Sequence, residues 1–142
     1  MTNGLPFSVL LVDDDEDDRM IMNDAFLEIG FGAEIKKFIN VRSLLHYLEV
    51  TDAALYPSLI VLDNTLPEMD AKAALLLLKG NPAYESIPVV IYSSSLTSAK
   101  KESLLAAGAH ACFLKGNTMQ EIIVLARQLH QLSVELSGRR SA

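Results

Sequence analysis

Short aliphatic runs and longer amphipathic stretches alternate along this chain. Val9-Leu10-Leu11-Val12 reads as a buried strand ended by acids. From Glu16 to Ile29 the apolar residues Ile21, Ala25, Phe26 and Ile29 fall at helical spacing, and Gly30 suits the position just past a helix end. Ala33 to Ile39 reads as a more exposed strand, and Asn40 can cap a helix through about Leu48. Leu59-Ile60-Val61-Leu62 is again a buried strand ended by an acid. Asp70 can cap a short helix that stops at Gly80. Val89-Val90-Ile91-Tyr92 is a further buried strand, followed by three serines. A helix from about Thr97 to Ala107 closes at Gly108, and Ala111 to Leu114 is a last strand ended by Lys115. Thr118 and Glu121 have capping-box spacing and open a helix to about Leu136. Five β-α units of this kind predict an α/β fold with a parallel sheet covered on both faces. Right-handed crossovers make that sheet doubly wound. Periodicity does not fix the strand order.

Composition narrows the class. The 142 residues fit one domain, with a core at about 8–136 and a polar tail at 137–142 that is expected to fray. Half of the residues are apolar, as a packed core requires. The formal net charge of -6 argues against a nucleic-acid partner, which calls for a basic face. Cys112 is the one cysteine, so no intramolecular disulfide is expected and a reducing compartment is the default. Met1 to Phe7 has no positive region or long apolar stretch of a secretory signal. No run approaches the ~20 apolar residues of a membrane helix. A cytoplasmic protein with no membrane partner is expected.

The chemistry lies in the polar residues that end the strands. Asp13 and Asp14 follow the first strand, Asp63 the third, Ser93 the fourth and Lys115 the fifth. Ligands of open α/β sheets bind outside the carboxyl ends of the strands, at the switch point of the strand order. Three carboxylates in one crevice repel one another, and burial sharpens the repulsion. A hard divalent cation relieves it: Mg2+ takes one or two carboxylates, phosphate oxygens and several waters. Phosphoryl transfer needs positioning and charge neutralisation above all. In that setting Asp63 is the candidate nucleophile forming an acyl phosphate. Ser93 is a hydroxyl donor to the phosphoryl oxygens and Lys115 their cation.

These segments resemble the receiver domains of two-component response regulators, the CheY-like family. The resemblance runs through Leu10-Leu11-Val12-Asp13-Asp14, Leu59-Ile60-Val61-Leu62-Asp63 and Leu66-Pro67-Glu68-Met69-Asp70. It continues in Pro88-Val89-Val90-Ile91-Tyr92-Ser93 and Ala107-Gly108-Ala109, and ends at Lys115. It covers Ser8 to about Leu136, so residues 1–142 are read as a single receiver domain. It implies a flavodoxin-like, three-layer α/β/α fold with strand order 2-1-3-4-5. It implies Asp63 as phosphoacceptor, Ser93 as switch hydroxyl and Lys115 as phosphate-pairing lysine. The implied metal set is Asp14 bound directly, Asp13 acting largely through water, Asp63, and the backbone carbonyl of Thr65. Mg2+ is the implied cofactor, with Mn2+ as an alternative. Ser94 stands where a small residue leaves the phosphoryl group accessible. The implied phosphodonor is a bacterial histidine kinase or a histidine phosphotransfer protein. Output would pass to an unidentified protein target. The chain would be a monomer, or a phosphorylation-dependent homodimer through the face of the fourth helix, fifth strand and fifth helix.

Three positions depart from the family. Ala71 replaces a usual glycine. Gly116 replaces a proline that often follows a cis peptide; a cis bond here costs ~2.5–4 kcal/mol, so the loop geometry stays open. Cys112 replaces an aromatic residue whose swing reports phosphorylation, which leaves the relay open as well.

Plainer readings stand beside these. Asp15, Asp17 and Asp18 are read as capping or solvated acids. His46, His110 and His130 show no metal spacing, and Arg139-Arg140 reads as solvated tail. Two other functions compete with a switch that has only weak self-phosphorylation and self-dephosphorylation chemistry. One is a phosphatase with an aspartyl nucleophile, which usually carries an acid where Thr65 stands. The other is a phosphorylation-independent scaffold.

Overall fold

The structure is a computed structural model that describes residues 7–141, with the side chains of residues 7–137. Five parallel strands form one sheet: β1 (Val9–Val12), β2 (Ile35–Phe38), β3 (Leu59–Asp63), β4 (Val89–Ser93) and β5 (Ala111–Leu114). Their order is β2-β1-β3-β4-β5, the doubly wound, flavodoxin-like arrangement. The helices are α1 (Glu16–Glu28), α2 (Val41–Glu49), α3 (Ala71–Lys79), α4 (Ser98–Ala106) and α5 (Met119–Ser141).

Alternation along the strands divides the core. Val9, Leu11, Val61, Val90 and Tyr92 point toward α1 and α5, where they meet Ala25, Phe26, Ala126 and Leu129. Leu10, Val12, Ile60, Leu62 and Ile91 point the other way, onto Leu44 and Leu48 of α2, Leu75 and Leu78 of α3 and Leu104 of α4. Two apolar layers on one sheet explain why β1, β3 and β4 are apolar on both faces up to their polar carboxyl ends. The edge strands β2 and β5 are only partly buried. Each fully buried Leu or Ile here contributes roughly 1.5–3 kcal/mol of transfer free energy.

The caps follow the local sequence. Asp15 accepts from the N–H groups of Asp17 and Asp18 at the start of α1. Asn40, Asp70 and Thr97 each cap the helix that follows. Thr118 and Glu121 form the expected reciprocal box, at 3.1 and 3.2 Å. α1 and α4 end in the same way, with Gly30 (φ 89°) and Gly108 (φ 117°) in the left-handed region. There the Phe31 N–H reaches the Phe26 carbonyl and the Ala109 N–H the Leu104 carbonyl.

Two boundaries differ from the sequence reading. Gly32–Glu34 is a 3-10 turn, so β2 begins at Ile35 rather than at Ala33. A Cβ at Gly32 would come within 2.3 Å of the Leu27 side chain, so the chain hugs α1 before it can enter the sheet. α5 continues to Ser141, past the expected stop at Leu136. Leu136 is buried against the α1–α5 layer, so packing carries the helix past that point. Ala142, the side chains of Arg139 and Arg140, and Met1 to Pro6 of the leader reading lie outside the described residues. Among the described residues no helix is long and apolar enough to cross a membrane.

Candidate functional site

The site is built by the sheet's own ladder. Val12 pairs with Leu62, so Asp13 and Asp63 emerge side by side one step on, at the switch point between β1 and β3. Backbone bonds extend past the strand ends: the Asp13 N–H donates to the Phe38 carbonyl, Asn64 to Tyr92 and Lys115 to Ser93, at 2.8–3.0 Å. These bonds fix the main chain of the residues that carry the chemistry.

Asp13 and Asp63 are almost fully buried, whereas Asp14 is exposed. One carboxylate oxygen from each of the three acids lies within 4.8 Å of the other two. Lys115 Nζ sits among them, 3.2 Å from Asp13 Oδ2 and 3.2 Å from Asp63 Oδ2. Asp18 Oδ2 is nearer still, at 2.9 Å. Three carboxylates therefore face one ammonium, with Asp14 beside them. Burial pushes the Asp13 carboxyl above the usual carboxylate range and the charge of Asp63 adds to this; donors from Tyr92 and Asp15, and Lys115, pull it back. Burial alone would lower the Lys115 ammonium. Its hydrogen bond to Asp18 and the charges of Asp13 and Asp63 outweigh that and hold its pKa above the ordinary lysine value.

An all-oxygen donor set with excess negative charge fits a hard divalent cation. Asp13, Asp14 and Asp63 are the residues that could hold it.

Each remaining candidate has a definite place. The Thr65 N–H and hydroxyl donate to Asp63 Oδ1, at 3.2 and 3.4 Å, and set the rotamer of that carboxylate. Ser93 lies at the same sheet edge and is buried, but its hydroxyl donates to the Ser95 carbonyl at 2.8 Å. That hydroxyl closes its own loop rather than meeting the acids. The Lys115–Gly116 peptide is trans. A Cβ on Gly116 would fall 2.6 Å from Glu121 Cβ and 2.9 Å from the Ile122 nitrogen, so glycine lets this loop press on the first turn of α5. Cys112 is half-buried on the α4 side, and burial pushes its thiol up. Ala71 is buried in the first turn of α3.

Two residues escaped the sequence reading. Asp18, read as a capping or solvated acid, pairs with Lys115. Its place in the first turn of α1 is explained by the cap alone, so no sequence signal marked the contact with Lys115. Tyr92, read only as a strand residue, donates its hydroxyl to Asp13 Oδ2. A phenol ending an aliphatic strand needs a buried partner, and that need was visible in the sequence. Burial, and then the Asp13 charge, push the Tyr92 pKa far up, so it stays a neutral donor.

Residues 9–127 match the response regulator receiver domain family. The probable methanogenesis regulatory protein FilR2 of Methanothrix harundinacea (strain 6Ac) is 30% identical over 92 residues, 63% of this chain and 59% of that protein. The chain thus spans less than two thirds of that relative's length. The phosphorylated cyanobacterial phytochrome response regulator RcpA superposes with a TM-score of 0.78 at 20% identity, covering 91% of this chain and 94% of that one. The Mn(2+)-bound form of response regulator Rcp1 gives 0.71 at 21% identity, over 87% and 91%. At those identities the two structures speak for the fold. The family match is independent of them and runs from β1 into α5, so the chain belongs to the family of response regulator receiver domains.

Proposed function

We propose that this chain is a phosphorylation-activated switch of a two-component phosphorelay, with Asp63 as phosphoacceptor. The observation that carries the reading is the buried Asp63 carboxylate, 3.2 Å from Lys115 Nζ and within 4.8 Å of oxygens of Asp13 and Asp14. An Asp63 oxygen attacks phosphorus, the P–N bond to a donor histidine breaks, and the imidazole departs as the P–O bond of an acyl phosphate forms. Lys115 turns from Asp63 to the new phosphoryl oxygens. The Ser93 hydroxyl leaves the Ser95 carbonyl for one of those oxygens, and this rearranges the loop after β4. Thr65 orients Asp63 through its N–H and hydroxyl, and Ser94 leaves the approach open. A bound Mg2+ supplies charge neutralisation, held by Asp13, Asp14, Asp63 and the Thr65 carbonyl. Mn2+ is the alternative, supported by the Mn(2+)-bound form of Rcp1.

A cavity of about 220 Å3 opens beside Lys115, lined by Asp18, Ile21, Met22, Tyr92, Gly116 and Ile122. It gives a histidine kinase or phosphotransfer protein an apolar foothold next to the acids. Output passes to a protein target through a changed surface, a population shift driven by added charge. The α4-β5-α5 face is the candidate surface, with a phosphorylation-dependent homodimer as one form. Residues 1–142 act as one receiver domain; the lone cysteine favours a reducing, cytoplasmic setting, and a bacterial one follows only from the family resemblance.

The phosphatase alternative lacks its acid, since Thr65 donates to Asp63. Incubation with Mg2+ and acetyl phosphate separates the readings. The switch gains one phosphoryl group per chain and the Asp63→Asn protein gains none. Sustained turnover of free phosphoesters would instead support the phosphatase, and identical masses for the two proteins the scaffold.

A further inference from the structure

Tyr92 has no part in the chemistry above, yet it touches two of its members. It ends a run of Val89, Val90 and Ile91, and it is 2% exposed. Its hydroxyl donates to Asp13 Oδ2, and Lys115 Nζ lies 3.2 Å from that same oxygen. The ammonium also stands 4.6 Å from the centre of the Tyr92 ring, within cation–π range. On the other side of the carboxylate, the Asp15 N–H donates to Oδ1 at 3.0 Å. An ionised carboxylate offers about four acceptor positions. Three donors therefore leave about one position open, on a group that is completely buried.

We propose that Tyr92 is a positioning residue for the cation site. Its hydroxyl fixes the plane of Asp13 so that the free acceptor position faces the cation or one of its waters. Its ring forms the floor on which the Lys115 ammonium rests. The inference rests on reading Asp13, Asp14 and Asp63 as metal-binding acids. Partners that orient metal ligands typically govern metal affinity by about 10–100-fold. Phenylalanine at position 92 keeps the ring and its packing and removes only the donor. Asp13 Oδ2 is then left with Lys115 alone, and the carboxylate turns toward the lysine and away from the cation.

The test is Mn2+ binding to the unphosphorylated chain, read from the paramagnetic resonance of free Mn2+. Tyr92→Phe is expected to weaken binding about tenfold while the circular dichroism of the metal-free protein stays as in wild type. In an Asp13→Asn background the same change is expected to add no further loss. Unchanged Mn2+ affinity in Tyr92→Phe overturns the proposal, and so does a full loss that persists without Asp13. Absence of Mn2+ binding in wild type overturns it as well. A second measurement reads wild type directly: with tyrosine labelled at 13Cζ, the Tyr92 resonance, identified by its absence from the Tyr92→Phe spectrum, is expected to move across the Mg2+ titration. A resonance that stays still contradicts the proposal. Acetyl phosphate treatment run in parallel separates the two readings. Wild type that binds Mn2+ but gains no phosphoryl group fails the switch reading and leaves the Tyr92 assignment standing.

Discussion

Charge gathers at both ends of the sheet, and the two ends are balanced differently. At the amino end, Glu34 accepts from the Ser8 hydroxyl at 2.8 Å and lies 3.4 Å from His130 Nε2. His130 stacks on Phe31, with ring centres 3.5 Å apart. One half-exposed acid there meets enough donors. At the carboxyl end, Asp13, Asp18 and Asp63 converge on a single ammonium while Asp14 stands beside them. The first cluster is complete and ties α5 to the turn before β2. The second is short of positive charge, and two of its acids are buried where water cannot screen them. The difference separates a structural contact from a site waiting for a ligand.

The contrast can be broken, most severely at Asp63. Asp63→Asn is expected to abolish phosphoryl uptake, whereas His130→Ala leaves uptake at the wild-type level; intact mass reads both. Next comes Lys115→Ala. It strands Asp13 and Asp63 without their cation and is expected to cost about 3 kcal/mol of metal-free stability in urea. Millimolar Mg2+ should restore most of that, because a divalent ion takes over the neutralisation. Wild type itself should gain about 2.7 kcal/mol when Mg2+ is present at roughly 100 times its dissociation constant. That gain is expected to vanish in an Asp13→Asn, Asp14→Asn double variant, measured by the same denaturation. The smallest effect is at the amino end. His130→Ala loses one ring stack and one weak polar contact, about 1 kcal/mol, with no change in Mg2+ response.

Most of the architecture was legible because the buried strands advertise themselves. β1, β3 and β4 are apolar on both faces, and their ends carry the acids and serine that the ladder then brings into register. Asp13, Asp14, Asp63 and Lys115 were legible for the same reason, since a residue that ends a parallel strand must reach the carboxyl edge. The start of β2 was not legible, because Gly32 packs back on Leu27 in a short 3-10 turn that strand alternation does not reveal. Nor was the engagement of Asp18. A first-turn acid on a helix is usually explained by the cap, and only the position of Lys115 gives it a second task. Ser93 was placed correctly on the chain, but its hydroxyl turns to Ser95, a choice made by the loop and invisible to strand periodicity. Gly116 marked a departure whose reason appeared only in the approach of the loop to Glu121 and Ile122.

The central claim is that the phosphoryl group goes to Asp63. Borohydride reduction after treatment with acetyl phosphate and Mg2+ converts an aspartyl phosphate to homoserine, which peptide mass mapping locates. Homoserine at position 63, and its loss when Mg2+ is withheld, is the expected result. Label at another residue, or none under conditions where the chain binds Mg2+, would contradict it.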